Sequence, residues 1–264
     1  MEEVVWKSAI TKVEPNHLVT RGYRQEELIG NVPYAHVVFL LLKGRLPEEE
    51  EGKMMDAILT SSIDHGTTPP STLASRVIAS ASVPLPTAVA GGILAIGDAH
   101  GGAIENCAKF LQESVANKDE KDYDKIAEEI VKEKKAKGEI IPGYGHRFHT
   151  SDPRTIRLYK LAEELKIAGK HVAFSKAIEN ALFNVSGRKL PINVDGAIAA
   201  IVSDMGFDPK LGKAFFLLGR VAGLVAHVYE EITREKQMRR LSPSDCDYDG
   251  PWERELPAHY REKK

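Results

Sequence analysis

Three short segments of the chain place a titratable side chain beside glycine. The first is Gly97-Asp98-Ala99-His100-Gly101-Gly102-Ala103, where paired glycines after the histidine let a backbone approach a ligand closely or open a helix. The second, Ile141-Pro142-Gly143-Tyr144-Gly145-His146-Arg147, is a glycine-rich turn whose exposed amides suit a nucleotide-like group. The third, Pro191-Ile192-Asn193-Val194-Asp195-Gly196, leads into the apolar stretch Ala197 to Asp204. Taken singly, each has a structural reading: a histidine beside glycine as a hydrogen-bonding group, and Asp195 as the N-cap of the helix that follows. Taken together, one carboxylate and two imidazoles suit proton transfer beside a carbonyl, with a base for carbon, a polariser for oxygen and an acid-base partner. No HExxH pair, GxSxG elbow or Walker loop competes with that assignment, so the sequence points to carbon-acid chemistry without a metal.

A fourth residue stands out by its surroundings. Phe215 to Tyr229 reads FFLLGRVAGLVAHVY, apolar almost all round, which predicts a helix buried on most sides. Arg220 lies inside it and would be costly there without a partner, which either a protein acid or a bound carboxylate could supply. Gly219 and Gly223, with Ala222 and Ala226, let another backbone come close, as in a tight subunit interface or a crowded core.

The elements that must position these groups are mainly helical. Extended structure is predicted only for Val13 to Val19 and for Glu139-Ile140-Ile141. Ala35 to Lys43 reads as a helix closed by Gly44, with Pro47 beyond it, and Glu48 to Ser61 as the next, behind an acidic first turn. Thr67 to Ser71 reads as a turn that caps a helix beginning near Thr72. The charged stretch from Asn117 to Gly138 offers Glu128 to Lys132 and Glu133 to Lys137 as i,i+4 pairs, the pattern of a solvated helix face.

Composition narrows the function classes. With 264 residues, 42% hydrophobic and 28% charged, the chain can bury a large core without staples. A net charge of −2 carries no nucleic-acid signature. Cys107 and Cys246 lack CxxC spacing, which suggests two reduced thiols rather than a disulfide or zinc framework. No run reaches the 18 to 20 or so apolar residues of a spanning helix, and the first ten residues lack the apolar core of a secretory signal. A cytoplasmic protein with no nucleic-acid or membrane partner is the expectation.

DAHGGAIEN, IPGYGHRFHTSDPR and LPINVDG, in this order, closely resemble the signature segments of the citrate synthase superfamily. So does Glu26-Glu27-Leu28-Ile29-Gly30-Asn31 followed by the helix ending LLLKGRLP, and the likeness runs from about Gly22 to Arg240. Within the superfamily, Ile63-Asp64-His65-Gly66, NVDGAIAAIVSDMG and LLGRVAGLVAHVYEE look like the citryl-CoA lyase branch, including the lyase module of ATP-citrate lyase. Typical synthases continue the NVD segment with an aromatic-Ser-Gly sequence, where this chain has Gly196-Ala197-Ile198, and they are longer at the amino end.

The resemblance implies an all-α, citrate synthase-like fold with few short strands. A large helical domain would comprise 1–107 and 195–264, with a smaller coenzyme A-binding domain inserted at 108–194. It implies catalytic roles for Asp195 at the acetyl methyl carbon, for His100 at the thioester oxygen, and for His146 at the oxaloacetate carbonyl or citryl hydroxyl. His65, Arg154, Arg220 and Arg240 match substrate-binding positions, the last donated by a second chain of a homodimer or higher homo-oligomer. One departure falls just before Arg154: the loop from His146 to Asp-Pro-Arg is one residue short, with Phe148 where a β-branched residue is usual. Ile141, Pro142, Gly143, Tyr144 and Gly145 match the coenzyme A-binding turn, and Arg188, Lys189 and the lysines of 132 to 137 are candidate phosphate contacts by charge. Coenzyme A would enter as part of the substrate, with no tightly bound cofactor, no metal, and a separate citryl-CoA synthetase as a partner. The implied activity is citryl-CoA cleavage to acetyl-CoA and oxaloacetate. The alternatives are a citrate or 2-methylcitrate synthase and a non-catalytic coenzyme A-binding scaffold.

Overall fold

The computed structural model describes residues 6–145, 151–187 and 189–261. Strands β1 (Thr11–Glu14), β2 (His17–Thr20) and β3 (Tyr23–Arg24) form an antiparallel meander in which Thr11 faces Thr20 and Glu14 faces His17. The predicted single strand from Val13 to Val19 is therefore a hairpin. Pro15 cannot extend the ladder, and Asn16 takes a φ of 58°, a left-handed turn conformation that asparagine tolerates.

Eleven α-helices follow among the described residues: α1 (Gln25–Leu28), α2 (Tyr34–Lys43), α3 (Glu49–Ser61), α4 (Pro70–Ser80), α5 (Leu85–Leu94), α6 (Ala103–Val115), α7 (Tyr123–Lys137), α8 (Pro153–Glu164), α9 (Lys170–Ser186), α10 (Val194–Asp204) and α11 (Gly212–Arg234). The boundaries follow local chemistry. Gly44 closes α2 in the left-handed region, its N–H on the Leu40 carbonyl at 2.8 Å, and Glu48 and Glu51 form a capping box on α3. Thr67 to Ser71 does not supply the predicted side-chain cap. Pro69 stands at the N-cap of α4 and Pro70 begins the helix, where a missing N–H costs nothing.

Glu139 to Ile141 does not form a strand; nearby, Tyr144 and Ile192 make one isolated antiparallel bridge. On α7 the predicted pairs are present, Glu128 to Lys132 at 2.5 Å and Glu133 to Lys137 at 2.6 Å.

The apolar interior is built around α10, whose residues Ala197 to Ile201 have no solvent exposure, with α6, α8 and α9 packed on it. This cluster runs continuously through residues of α2, α3, α6, α7, α8, α9 and the start of α11. A smaller cluster joins Ala79, Ala88, Val89, Leu224 and Val228 of α4, α5 and α11. Cys107 is a buried free thiol and Cys246 an exposed one.

Helix α11 corrects two expectations. It is not buried on most sides: Val225, Tyr229 and Ile232 are exposed on one face. Gly219 and Gly223 serve a crowded core, whereas Ala222 and Ala226 are exposed. A Cβ at Gly219 would meet the Ser62 hydroxyl at 2.1 Å, and one at Gly223 the Ile63 carbonyl at 2.2 Å, so both glycines let the end of α3 lie on this helix. Contrary to the expectation that no run is long enough, Pro209–Arg234 is apolar enough by composition to cross a membrane. Here it is the helix against which α3, α4, α5 and α6 pack.

Candidate active site

Beside the start of α10 a cavity of about 360 Å³ gathers Asp195, His100, His65, Arg154 and Arg220, which are separated by as many as 155 positions in the chain. Asp195 stands in the first turn of α10. The cap of that helix is its neighbour Asn193, whose carboxamide oxygen accepts the Gly196 N–H at 3.1 Å, so the reading of Asp195 as N-cap is corrected and its carboxyl is released to line the cavity. The backbone beneath it is tight: a Cβ on Gly196 would lie 2.4 Å from the Gly143 carbonyl oxygen. Burial pushes the Asp195 carboxyl up to about 6, against the opposing pull of Arg154 and Arg220. A carboxyl poised near neutrality can both take and return a proton.

His100 sits on a tight loop in which the Gly97 carbonyl accepts N–H groups of His100 at 2.8 Å and of Gly102 at 3.0 Å. Gly101 takes a φ of +80°, and a Cβ there would strike the Phe216 ring at 2.4 Å, so no other residue fits. The imidazole packs edge-on to Phe216, with centroids 5.3 Å apart, and its Nε2 lies 2.8 Å from the hydroxyl of Ser71, which is wholly buried in the first turn of α4. Burial, Arg220 and His65 all lower the pKa of His100, which keeps the ring neutral and suits it to hydrogen-bond an oxygen rather than pair as an ion.

Arg220 is 2% exposed. Its Nε donates to the Ser62 carbonyl at 2.9 Å, its guanidinium carbon lies 4.6 Å from the Phe216 ring centroid, and Nη1 has no hydrogen-bond partner. Burial, with Arg154 nearby, depresses its pKa more than the Asp64 and Asp195 carboxylates raise it, and no acid among the described residues forms an ion pair with it. The predicted alternative, an internal salt bridge with a protein acid, is not what holds it. Arg154 differs: Asp152, the cap of α8, accepts both Nε at 3.0 Å and Nη2 at 2.8 Å, which fixes the guanidinium as a fork at the cavity wall. His65 reaches the cavity from the exposed strap between α3 and α4.

Other predicted site residues are placed differently. Ile141 to Gly145 forms a turn with Gly143 at φ +87° and Gly145 at +84°, and only Gly145 reaches the cavity. Its amides are not available as a row of donors: the Gly145 N–H is given to the Pro191 carbonyl at 2.8 Å, and Ile141 and Gly143 are buried. The turn instead braces the Asp195 helix. The Gly143 and Gly145 carbonyls accept from the backbone and side chain of Asn193 at 3.0 and 2.9 Å, and the Tyr144 hydroxyl donates to the Ser175 carbonyl. Pro142 is half-buried in the same turn, and Lys189 is exposed. The lysines of 132 to 137 are engaged within the chain, Lys132 with Glu128, Lys134 with Glu139, Lys135 with the Val185 carbonyl and Lys137 with Glu133. Arg240 lies on the exposed segment after α11, away from this cavity. His146 and Arg188 fall outside the described residues.

Ser71, Asn193 and Phe216 complete the site without having been singled out. Asn193 belongs to the Pro191 to Gly196 segment, where its place three residues before Gly196 is the sign of a cap. For Ser71, 29 residues from His100, no local signal exists.

His100, Asp195 and Arg220 line one cavity, and a neutral imidazole, a carboxyl near neutrality and a buried guanidinium are the set that proton transfer at carbon beside a carboxylate-bearing ligand would use. The chain matches the family described as "Citrate synthase, C-terminal domain" over residues 47–241 and belongs to it. Among characterised relatives, citrate synthase 2 of Bacillus subtilis is 29% identical over 80% of this chain, and the glyoxysomal citrate synthase of Cucurbita maxima is 36% identical over 72% of it. The chain spans 54% and 37% of those two proteins respectively, about half of their length or less. Among solved structures, the citryl-CoA lyase of Hydrogenobacter thermophilus superposes with a TM-score of 0.91 at 46% identity, covering 98% of this chain and all of that one. The ATP citrate lyase of Methanothrix soehngenii, determined with citrate and coenzyme A, superposes at 0.81 over 96% of this chain and 43% of its own, at 22% identity, which establishes the shared fold.

Proposed function

We propose that the chain is a citryl-CoA lyase, cleaving citryl-CoA to acetyl-CoA and oxaloacetate. The observation that carries this reading is the full-length likeness, at 46% identity, to a citryl-CoA lyase that this chain matches end to end. The site chemistry supports it. Cleavage begins when a base removes the citryl hydroxyl proton, a role the motif gives to His146. The carbon-carbon bond then breaks, the hydroxyl carbon becomes the ketone of oxaloacetate, and the electron pair passes to the acetyl methylene as an enolate. His100, neutral and held by Ser71, hydrogen-bonds the enolate oxygen. Protonated Asp195 delivers its proton to carbon and completes acetyl-CoA; a carboxyl titrating at about 6 is suited to that donation and to its reverse. Arg220 and the Asp152-braced Arg154 hold the carboxylates of the oxaloacetate half.

On the same reading coenzyme A is a portion of the substrate, met by the segment 141–145 with Arg188 and Lys189, and no resident cofactor or metal is required. The division into a large domain, 1–107 with 195–264, and an inserted domain, 108–194, allows the cleft to close on it. A second copy of the chain would cover the exposed Val225, Tyr229 and Ile232 face of α11 and deliver Arg240 to this cavity, making the enzyme a homodimer or a higher assembly. Citryl-CoA must come from an ATP-dependent ligation of citrate to coenzyme A, supplied by a separate synthetase.

The test is direct. Purified protein given citryl-CoA is expected to yield acetyl-CoA and oxaloacetate in equal amounts. Given acetyl-CoA and oxaloacetate, it is expected to release coenzyme A slowly or not at all. Rapid release of free coenzyme A would instead make it a synthase, and no turnover in either direction would leave only a binding protein.

A further inference from the structure

The strap from Ser62 to Pro69 carries His65 to the cavity and is fastened to α11 at three successive levels. At the first, Arg220 Nε donates to the Ser62 carbonyl at 2.9 Å. At the second, Gly223 admits the Ile63 carbonyl and the Asp64 side chain, since a Cβ there would lie 2.2 and 3.2 Å from them. At the third, His227 Nε2 lies 2.9 Å from Asp64 Oδ1. The other carboxylate oxygen of Asp64 accepts the Gly66 N–H at 2.9 Å, and Gly66 takes a φ of +71° that closes the turn around His65. Asp64 therefore does two things at once: Oδ1 anchors to the helix that carries Arg220, and Oδ2 folds the turn that presents His65. Although burial would raise the Asp64 pKa, the Gly66 amide and His227 more than offset it, so the carboxylate stays ionised and both bonds are charge-assisted.

His227 is not a surface ornament. Its side chain is only 14% exposed, its Nδ1 lies 3.8 Å from Glu230, and Glu230 in turn pairs with Arg76 of α4 at 3.2 Å. The ring is thus held by Asp64 on the strap side and bordered by Glu230 on the other. We infer that His227 and Asp64 are positioning residues for substrate binding, fixing His65 relative to Arg220 so that the imidazole and the guanidinium meet one carboxylate-bearing ligand. Neither need touch the ligand. The inference rests on the assignment of the cavity to the oxaloacetate half of citryl-CoA, and it predicts an effect on binding rather than on the chemical step.

The experiment is a double-mutant cycle read by citryl-CoA kinetics and by calorimetric titration with oxaloacetate. His227→Ala is expected to raise KM, and the oxaloacetate Kd, about tenfold with kcat changed less than about twofold. In a His65→Ala background the same substitution should add less than about twofold, because its effect passes through His65. His227→Gln, which keeps an N–H donor of similar reach, should restore KM to within about threefold of wild type. Where His227→Ala lowers the urea midpoint, Asp64→Asn serves as the second variant and is expected to raise KM in the same sense. Wild-type KM in the single variants, or a full additive loss on top of His65→Ala, overturns the inference. Failure of the lyase reading would show separately, as absence of citryl-CoA cleavage by the wild type, while the oxaloacetate titrations still decide whether His227 acts through His65.

Discussion

Arg220 and Glu231 lie about three turns apart on the same helix, each 2% exposed, and the structure treats the two charges in opposite ways. Glu231 is saturated. Its oxygens accept from Arg76 Nε at 2.7 Å and from Arg239 Nε and Nη2 at 2.7 and 2.8 Å, and the same arginines extend to Glu230 and Glu235. Among the described residues Arg220 has one carbonyl acceptor, a ring face and an Nη1 with nothing to bond. A fold that builds a complete ion cluster near the end of α11 could have paired Arg220 with an acid as well, yet Asp64 and Asp195 act on it without bonding to it. What separates them is what they face: Glu231 faces α4 and the chain's own exit from the helix, and Arg220 faces the cavity. An unpaired buried guanidinium lowers stability by a desolvation penalty that a ligand carboxylate later offsets.

The sharpest way to break this contrast is to remove each charge in turn. Arg220→Leu is expected to lower kcat/KM for citryl-CoA by about a thousandfold, the loss of charge-assisted bonds to a carboxylate, while the urea midpoint holds or rises. Citrate should raise the Tm of the wild type and leave that of the variant unmoved. A variant that unfolds with activity otherwise normal would place Arg220 in the scaffold. Glu231→Gln should do the reverse: it removes the carboxylate that Arg76 and Arg239 share, leaving them Glu230 and Glu235, and lowers unfolding free energy by about 2 kcal/mol, with far less effect on turnover per folded chain than Arg220→Leu. Urea unfolding at fixed pH, alongside active-site-normalised rates, decides between them.

That contrast also marks what could be read from the chain. Arg220, Asp195 and His100 were legible because each stands in a compact motif, and a charge inside an apolar helix demands a reason. Whether Arg220 met a protein acid or a ligand was not legible, since its possible partners lay on elements far away in sequence. The hairpin at Pro15-Asn16 had a local signal, and the exposed face of α11 had none, because burial of an apolar stripe is decided by what packs on it. The turn 141–145 is conspicuous in the sequence for its glycines, but its Gly145 amide and its Gly143 and Gly145 carbonyls are occupied by Pro191 and Asn193, a long-range pairing that glycine spacing cannot announce.

A smaller effect tests the imidazole side of the cavity. Ser71→Ala removes the group on His100 Nε2 and is expected to lower kcat by about tenfold with little change in KM, one hydrogen bond's worth of orientation. Stopped-flow measurement of acetyl-CoA formation would check it. An unchanged kcat would mean that Phe216 packing alone orients the ring.

The subtlest prediction concerns Asp195 and separates the cost of a functional charge from that of a structural one through pH. Its folded pKa is raised to about 6 from the ordinary 3.8 because burial penalises the carboxylate. Between those values the folded protein holds a proton that the unfolded chain has already released, so this residue's contribution to stability falls as pH rises from about 4 to 6 and stays low above it. Glu231 has the opposite sign: its pKa is held down by Arg239 and Arg76, which outweigh the burial that would raise it. Its contribution is present at neutral pH and is lost as pH falls through the acid range. Asp195→Asn should therefore gain stability over wild type progressively from pH 4 to 6, with the difference flat beyond, in urea titrations at half-unit steps. Glu231→Gln should show a deficit relative to wild type that shrinks toward low pH. If the two difference curves ran in the same direction, burial at Asp195 would not be what sets its proton affinity, and the carboxyl would lack the poise that carbon protonation requires.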